Sequence, residues 1–270
     1  MKIISSRDNP FVKQMIRLAS SARERKTSGM TLLDGDHLIQ AFAESAGRVE
    51  YLIATDSAGL SSEKNDLFRT VSCKEQVVVA DAVFKSISDL AAPTGLMAVI
   101  RIPDAAPYPD EPESCLLLEG IQDPGNLGTI LRTAVAAGFR HAFLSPQCAM
   151  AWSPKTLRAG MGAHFHLSVH EDANLADIAA MNGLTTVATD PRSSLSIYEA
   201  DLRTAIGWIL GGEGAGISQG LLERASMRLS VPMKGRLESL NVSSTAAICL
   251  FEQARQQRLS GPSATVPDRQ

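Results

Sequence analysis

A chain of 270 residues has room for two domains, and 44% hydrophobic with 20% charged residues is an ordinary globular composition with enough apolar material for a core. The formal charge of −3 excludes nucleic-acid binding through overall charge, so any such role must rest on a local patch. The four cysteines, Cys73, Cys115, Cys148 and Cys249, form no C-x-x-C pair, which argues against a disulfide framework or a thiolate zinc site.

The first segment is basic. Lys2, Arg7, Lys13, Arg17, Arg23, Arg25 and Lys26 face only Asp8 and Glu24, a local charge of +5. Phe11, Val12, Met15, Ile16 and Leu18 recur at helical spacing behind Asn9-Pro10, a cap and a first turn. The basic positions read either as the solvated face of that helix or as a nucleic-acid-contacting face. Strands are expected at 31–34, 49–54, 76–80 and 95–102 and helices at 35–46 and 82–88, a small α/β domain spanning 1–101. At 102–114, Pro103, Pro107, Pro109 and Pro112 mix with Asp104, Asp110, Glu111 and Glu113. Proline fixes φ and removes donors, and the acids repel one another, so this segment reads as an interdomain linker.

Beyond the linker, strands expected at 115–118, 141–144, 164–169, 185–189, 205–210 and 227–231 alternate with helices at 127–137, 154–161, 175–181, 218–224 and 243–258. Short apolar strands between helices predict a mostly parallel sheet with helices on both faces, in a domain spanning 115–259. His164, His166 and His170 alternate on one expected strand without companion ligands, so they read as structural and no metal is expected. The Ser/Pro-rich tail, 260–270, is expected to be disordered. No stretch approaches the roughly 18 consecutive apolar residues of a membrane span, and the start lacks the apolar run of a signal peptide. A soluble, cytoplasmic protein with no membrane partner is expected.

Three stretches of the second domain lie where strands end, which is where ligands bind in open α/β sheets. The first is Glu119-Gly120-Ile121-Gln122-Asp123-Pro124-Gly125-Asn126-Leu127-Gly128, running on to Arg132. Asp-Pro-Gly-Asn is turn chemistry, Asn126 suits a helix N-cap, and the amides behind it could hold an anion. Arg132 reads either as an ordinary surface arginine or as a functional charge. The second is Leu210-Gly211-Gly212-Glu213-Gly214-Ala215-Gly216, a glycine-rich turn that matches neither the dinucleotide fingerprint nor a P-loop. The third runs from Ser230 through Pro232-Met233-Lys234-Gly235 to Ser239-Leu240-Asn241-Val242-Ser243. By itself it is a polar loop before a helix, with Ser239 or Ser243 as the cap.

Taken in order, N-L-G-x-x-x-R, G-x-E-G and P-M-x-G-x-x-x-S-L-N-V-S resemble the SpoU (TrmH-type) family of RNA ribose methyltransferases, over essentially all of 115–258. Ser6-Arg7-Asp8-Asn9-Pro10 and Leu33-Asp34-Gly35-Asp36-His37-Leu38 are more loosely similar to the small ribosomal-protein-like domain that many members carry.

The resemblance implies a C-terminal segment threaded into a trefoil knot, against the usual rule that connections do not thread. It implies S-adenosylmethionine bound by the main chain around Leu210, Gly211, Gly212, Val231, Met233 and Leu240, with Thr189 as a further position, and no metal. It implies a homodimer in which the first motif of one subunit completes the site of the other. Asn126, Arg132, Glu213, Ser239 and Asn241 match the catalytic positions. The reaction implied is methyl transfer to a ribose 2′-hydroxyl, on ribosomal RNA in preference to tRNA, with Arg7, Lys13, Arg17, Arg23, Arg25 and Lys26 as candidate RNA contacts. A tRNA methyltransferase and a non-catalytic RNA-binding or ribosome-assembly factor are the alternatives. In-line displacement needs positioning and a dry site rather than a metal. The hydroxyl proton must still leave. The matching arginine is often assigned as the base, yet a guanidinium stays protonated. Arg132 then clamps a phosphate or stabilises the alkoxide, while phosphate, water, Ser239 or Glu213 takes the proton. Two positions depart from the family pattern: Gly212, where Asn, Ser or Ala is common, and Val231, where Ile is common.

Overall fold

The structure is a computed structural model that describes residues 3–45, 47–56, 62–235 and 239–260. It divides into two compact units, Met1–Asp104 with Met150–His166, and Ala105–Ala149 with Leu167–Gln270.

The first unit contains β1 (Ile3–Ile4), α1 (Pro10–Ser20), α2 (Ala22–Ser28), β2 (Met30–Asp34), α3 (Asp36–Glu44), β3 (Val49–Thr55), α4 (Ser62–Thr70), β4 (Cys73–Val79), α5 (Asp81–Ile87) and β5 (Leu96–Arg101). Its five-stranded sheet runs β1-β4-β3-β5-β2, with β5 antiparallel to both neighbours and the other pairs parallel. The helix expected to end at Ala46 ends at Glu44, and Ala46 lies outside the described residues. The polar helix α4 has no apolar stripe to betray it in the sequence.

In α1 the Asn9 side chain accepts from the Phe11 amide, Pro10 occupies the first turn, and Val12, Met15 and Leu18 are fully buried. The basic segment is not one helix. It breaks at Ser21, whose hydroxyl caps α2 by accepting from the Glu24 amide at 3.2 Å. The break turns Arg25 inward, where it is 4% exposed. Its guanidinium donates to the Leu18 and Ala19 carbonyls at 2.6 and 3.1 Å, and its Nε meets Met150 Sδ at 3.3 Å. Arg25 therefore satisfies the last carbonyls of α1 and is corrected from the set of RNA contacts.

The second unit begins with β6 (Cys115–Glu119), α6 (Pro124–Ala136) and β7 (His141–Leu144). The chain then enters the first unit as α7 (Pro154–Gly160) and a single 3-10 turn (Ala163–Phe165). There Thr31 Oγ1 donates to the Trp152 carbonyl at 2.6 Å, Phe165 packs edge-on against Phe42, and Arg158 bonds Asp89 at 2.8 Å beside Asp34 at 4.0 Å. The expected strand 164–169 is thus corrected: His164 sits in the 3-10 turn, 2% exposed beside Trp152, and only Ser168–His170 form a strand, β8. The three histidines do not share a strand. Burial pushes the His164 imidazole down to about 4, so it is held neutral.

After β8 come α8 (Leu175–Ala179), β9 (Thr185–Thr189), β10 (Ile206–Gly211), α9 (Gln219–Arg224), β11 (Met227–Leu229) and α10 (Val242–Ser260). The six strands are all parallel, in the order β11-β9-β10-β6-β7-β8. Cys115, Leu117, Ala188 and Ile209 pack on α8 and α9 residues including Leu175, Leu221 and Leu222. Trp208, on the other face, donates from its indole nitrogen to Gln253 of α10 at 2.7 Å. Both faces are covered, which is why the strands read as apolar runs. The linker is anchored by Tyr108, which meets His141 and Phe143 edge-on at 5.1 and 5.4 Å and donates to the Glu113 carbonyl.

From β11, beside β9, the chain returns to α10, packed on α6 and β10. On the way Ser230 donates to the Leu195 carbonyl and accepts from the Ile197 amide, both at 2.9 Å. Ser230 thus pairs with the 190–205 connection before the chain reaches α10.

Candidate active site at the carboxyl ends of the parallel strands

Because every strand of the second sheet points the same way, their carboxyl ends share one edge. Gly211 is in register with Glu119, Leu144 with Leu118, and Thr189 with Leu229. The three motif loops leave the sheet from that edge.

The first loop opens α6. Its cap is Asp123, whose carboxylate accepts from the Asn126 amide at 2.8 Å, with Pro124 in the first turn. The reading of Asn126 as the cap is corrected, and the physical reason is that Pro124 starts the helix three residues before the expected Leu127. The Asn126 side chain is thereby free to reach across the site. Its Nδ2 donates to Glu213 Oε1 at 2.8 Å. Asn241 Nδ2 donates to the same Glu213 oxygen at 2.7 Å and to Asn126 Oδ1 at 3.1 Å. The Asn241 Oδ1 accepts from the amide and the hydroxyl of Ser243 at 2.8 and 2.6 Å, so Asn241, and neither serine, caps α10. Asn126, Glu213 and Asn241, 115 residues apart at the extremes, form a closed triangle.

Arg132 is exposed on α6, and among the described residues it has no hydrogen bond or ion pair. Ser239 and Leu240 are exposed, and among the described residues neither makes a hydrogen bond to the triangle; 236–238 lie outside them. Of the positions expected to hold a cofactor, Leu210 is fully buried in β10, and Thr189 Oγ1 approaches the Ile209 carbonyl at 3.5 Å. Val231 and Met233 are half-buried, and no hydrogen bond from the described residues uses their main-chain groups. Leu240 is 37% exposed. Main-chain donors and acceptors without a partner among the described residues, beside apolar side chains at the mouth of a parallel sheet, fit an adenosyl group. Among the described residues no three His, Cys, Asp or Glu side chains converge as metal ligands.

The glycine pair is sterically enforced. A Cβ at Gly211 would lie 2.3 Å from the Gly216 carbonyl carbon, and one at Gly212 would lie 2.1 Å from the Gly120 oxygen. The departure at Gly212 thus has a cause in the close approach of the first and second loops.

Sequence reasoning missed the floor of the first loop. Ser145 Oγ accepts from the Gly120 amide at 3.1 Å, Cys148 Sγ meets the Leu118 carbonyl at 3.2 Å, and the Ala149 amide donates to Ile121 at 2.8 Å. Nothing in the spacing of Ser145-Pro146-Gln147-Cys148 signals it. Glu119 opens the first motif, which by its spacing assigns it no role. Its position at a strand end was the available signal.

Comparison with known proteins identifies the family. Residues 113–251 match the SpoU rRNA methylase family, and residues 9–98 match the MRM3-like substrate-binding domain. The 23S rRNA (guanosine(2553)-2′-O)-methyltransferase RlmP of Bacillus subtilis is 32% identical over 253 residues, covering 93% of this chain and 98% of its own. The mouse mitochondrial rRNA methyltransferase 3 is 31% identical, covering 92% of this chain and 72% of its own. The SpoU methyltransferase AviRb from Streptomyces viridochromogenes, solved with S-adenosylmethionine, superposes with a TM-score of 0.85 at 26% identity, over 94% of this chain and all of that one. An RNA 2′-O ribose methyltransferase structure gives 0.82 at 29% identity, over 95% and 99% of the two chains. Residues 113–251 and the RlmP relative settle membership: the Asn126–Glu213–Asn241 triangle lies inside the matched region, and the chain belongs to the SpoU rRNA methylase family.

Proposed function

We propose that this protein transfers a methyl group from S-adenosylmethionine to a ribose 2′-hydroxyl of ribosomal RNA, acting as a homodimer. The observation that carries the reading is the Asn126–Glu213–Asn241 triangle, which ties all three motifs to one edge of the sheet. Ribosomal RNA is favoured over tRNA by the substrate-binding domain match and by the named substrate of the RlmP relative. Dimerisation is favoured by Arg132, which has no partner among the described residues of its own chain, and by Phe251 of α10, 50% exposed. A second copy would cover the one and use the other.

When bound, S-adenosylmethionine supplies an electrophilic sulfonium methyl. A ribose oxygen would take that methyl, leaving the cofactor as its neutral thioether, while the hydroxyl proton passes to phosphate, water or Ser239. Glu213 Oε1 accepts two amide N–H groups and so holds Asn126 and Asn241 together. The Arg132 guanidinium stabilises the developing alkoxide or an adjacent phosphate. Arg132→Ala should reduce methylation by about 10²–10³-fold while leaving the cofactor Kd within about twofold. The measurement is single-turnover methylation of RNA from cells lacking the gene, with the modified ribose mapped. Wild-type protein that methylates no RNA, or an undiminished Arg132→Ala variant, would overturn the reading; sedimentation of a monomer would overturn the dimer alone.

A further inference from the structure

We propose that Glu119 is a positioning residue for methyl transfer, which fixes both ends of the loop carrying Glu213; the inference rests on the function proposed above. Glu119 is the last residue of β6 and is half-buried. Its main-chain carbonyl accepts from the Gly212 amide at 2.9 Å. Its carboxylate Oε2 accepts from the Ser218 amide at 2.7 Å. The loop therefore leaves the sheet and returns to α9 on the same residue.

Inside the loop, the Gly216 amide donates to the Gly212 carbonyl at 2.9 Å, and neither Gly211 nor Gly212 has room for a Cβ. The loop is a close-packed turn whose return to α9 is held by a carboxylate acceptor, which makes the bond shorter and stronger than a neutral one. Glu213 hangs from this turn and holds Asn126 and Asn241. Glu119 also begins the loop that carries Asn126. One residue thus sets the first motif against the second, with the Gly211–Gly212 main chain between them. The carboxylate touches none of the candidate reacting positions, so its action is through the loop.

Two variants remove the same hydrogen bond from opposite sides. Glu119→Ala removes the acceptor. Ser218→Pro removes the donor, and the Ser218 φ of −62° already suits proline. Glu119→Gln keeps an oxygen acceptor and serves as the rescue. Calorimetry with S-adenosylhomocysteine should show Kd raised about tenfold in the first two and within about threefold of wild type in Glu119→Gln. Hydrogen exchange should quicken across 212–218 in the first two, with the amides of β6 unchanged. With active enzyme, kcat should fall in the same order while KM for RNA holds. Unchanged Kd and unchanged exchange in both Glu119→Ala and Ser218→Pro overturn the proposal, as does exchange that quickens through β6 as well, which marks general unfolding. If the wild-type chain methylates no RNA, the functional reading falls, and binding and exchange still decide the role of Glu119.

Discussion

The two sheets of this molecule are of similar size and opposite usefulness as platforms for chemistry. In the first, β5 runs against β2 and β3, so carboxyl ends are divided between two edges. In the second, all six strands run together, and loops that start at residues 120, 190, 212 and 230 share an edge. The polar groups follow suit. Those of the first unit, Arg25 and Asp34 among them, serve packing and helix ends. Those at the edge of the second hold one another across long stretches of chain. Strand direction decides whether distant segments can be assembled into a site.

The largest test of this contrast is Asn241→Asp. It sets a carboxylate within 2.7 Å of Glu213 Oε1, where an N–H now points. Methylation should fall by about 10²–10³-fold in single-turnover assays, with the fold intact by circular dichroism. Activity within tenfold of wild type would mean that the triangle does not matter.

In the first unit the corresponding loss should be one of stability. Arg25→Ala should cost about 3 kcal/mol in urea unfolding, by orphaning the Leu18 and Ala19 carbonyls. A change below about 0.5 kcal/mol would return Arg25 to the surface set.

His164 gives a pH signature of similar or smaller size. Its folded pKa of about 4 lies below the ordinary 6.5, so the unfolded chain takes up a proton that the native chain refuses. Its stabilisation is whole above pH 6.5 and is lost as pH falls toward 4, by up to about 3 kcal/mol. Asp34, whose pKa is raised by burial, works in the opposite direction, so the measurement is the difference between wild type and His164→Gln. Parallel stability curves from pH 7 to 4.5 would refute it.

The smallest effect on stability belongs to the exposed basic residues. Lys13 pairs with Asp8 at 2.9 Å and Arg17 with Glu24 at 3.3 Å, both at the surface. Substituting Arg17 or Arg23 by alanine should move stability by less than about 0.5 kcal/mol. If they meet phosphates, RNA affinity should fall with a salt slope reduced by about one per residue. An unchanged slope would assign them to solvent.

Local signals were legible in the sequence. The apolar run at Cys115 to Leu118 gave a buried parallel strand, Asp-Pro-Gly-Asn gave a turn into a helix, and the order of motifs gave the family. What escaped was non-local. No spacing says that Asp123 caps α6 and frees Asn126, or that one Glu213 oxygen takes two amides. Arg25 looked like its basic neighbours because only the break at Ser21 turns it inward. The histidines alternated like a strand, and burial beside Trp152 claimed His164 first.

The segment 150–166 has a practical consequence for anyone cutting the gene. The first unit closes with Trp152, Arg158 and Phe165 seated on Thr31, Asp34, Asp89 and Phe42, all encoded downstream of the linker. A fragment that stops at the linker is missing part of its own wall, and a fragment that starts there carries that wall with nothing to face. The substrate-binding unit is therefore not a cassette: grafting it onto another methylase, or exchanging it for a different specificity, requires two splices and not one.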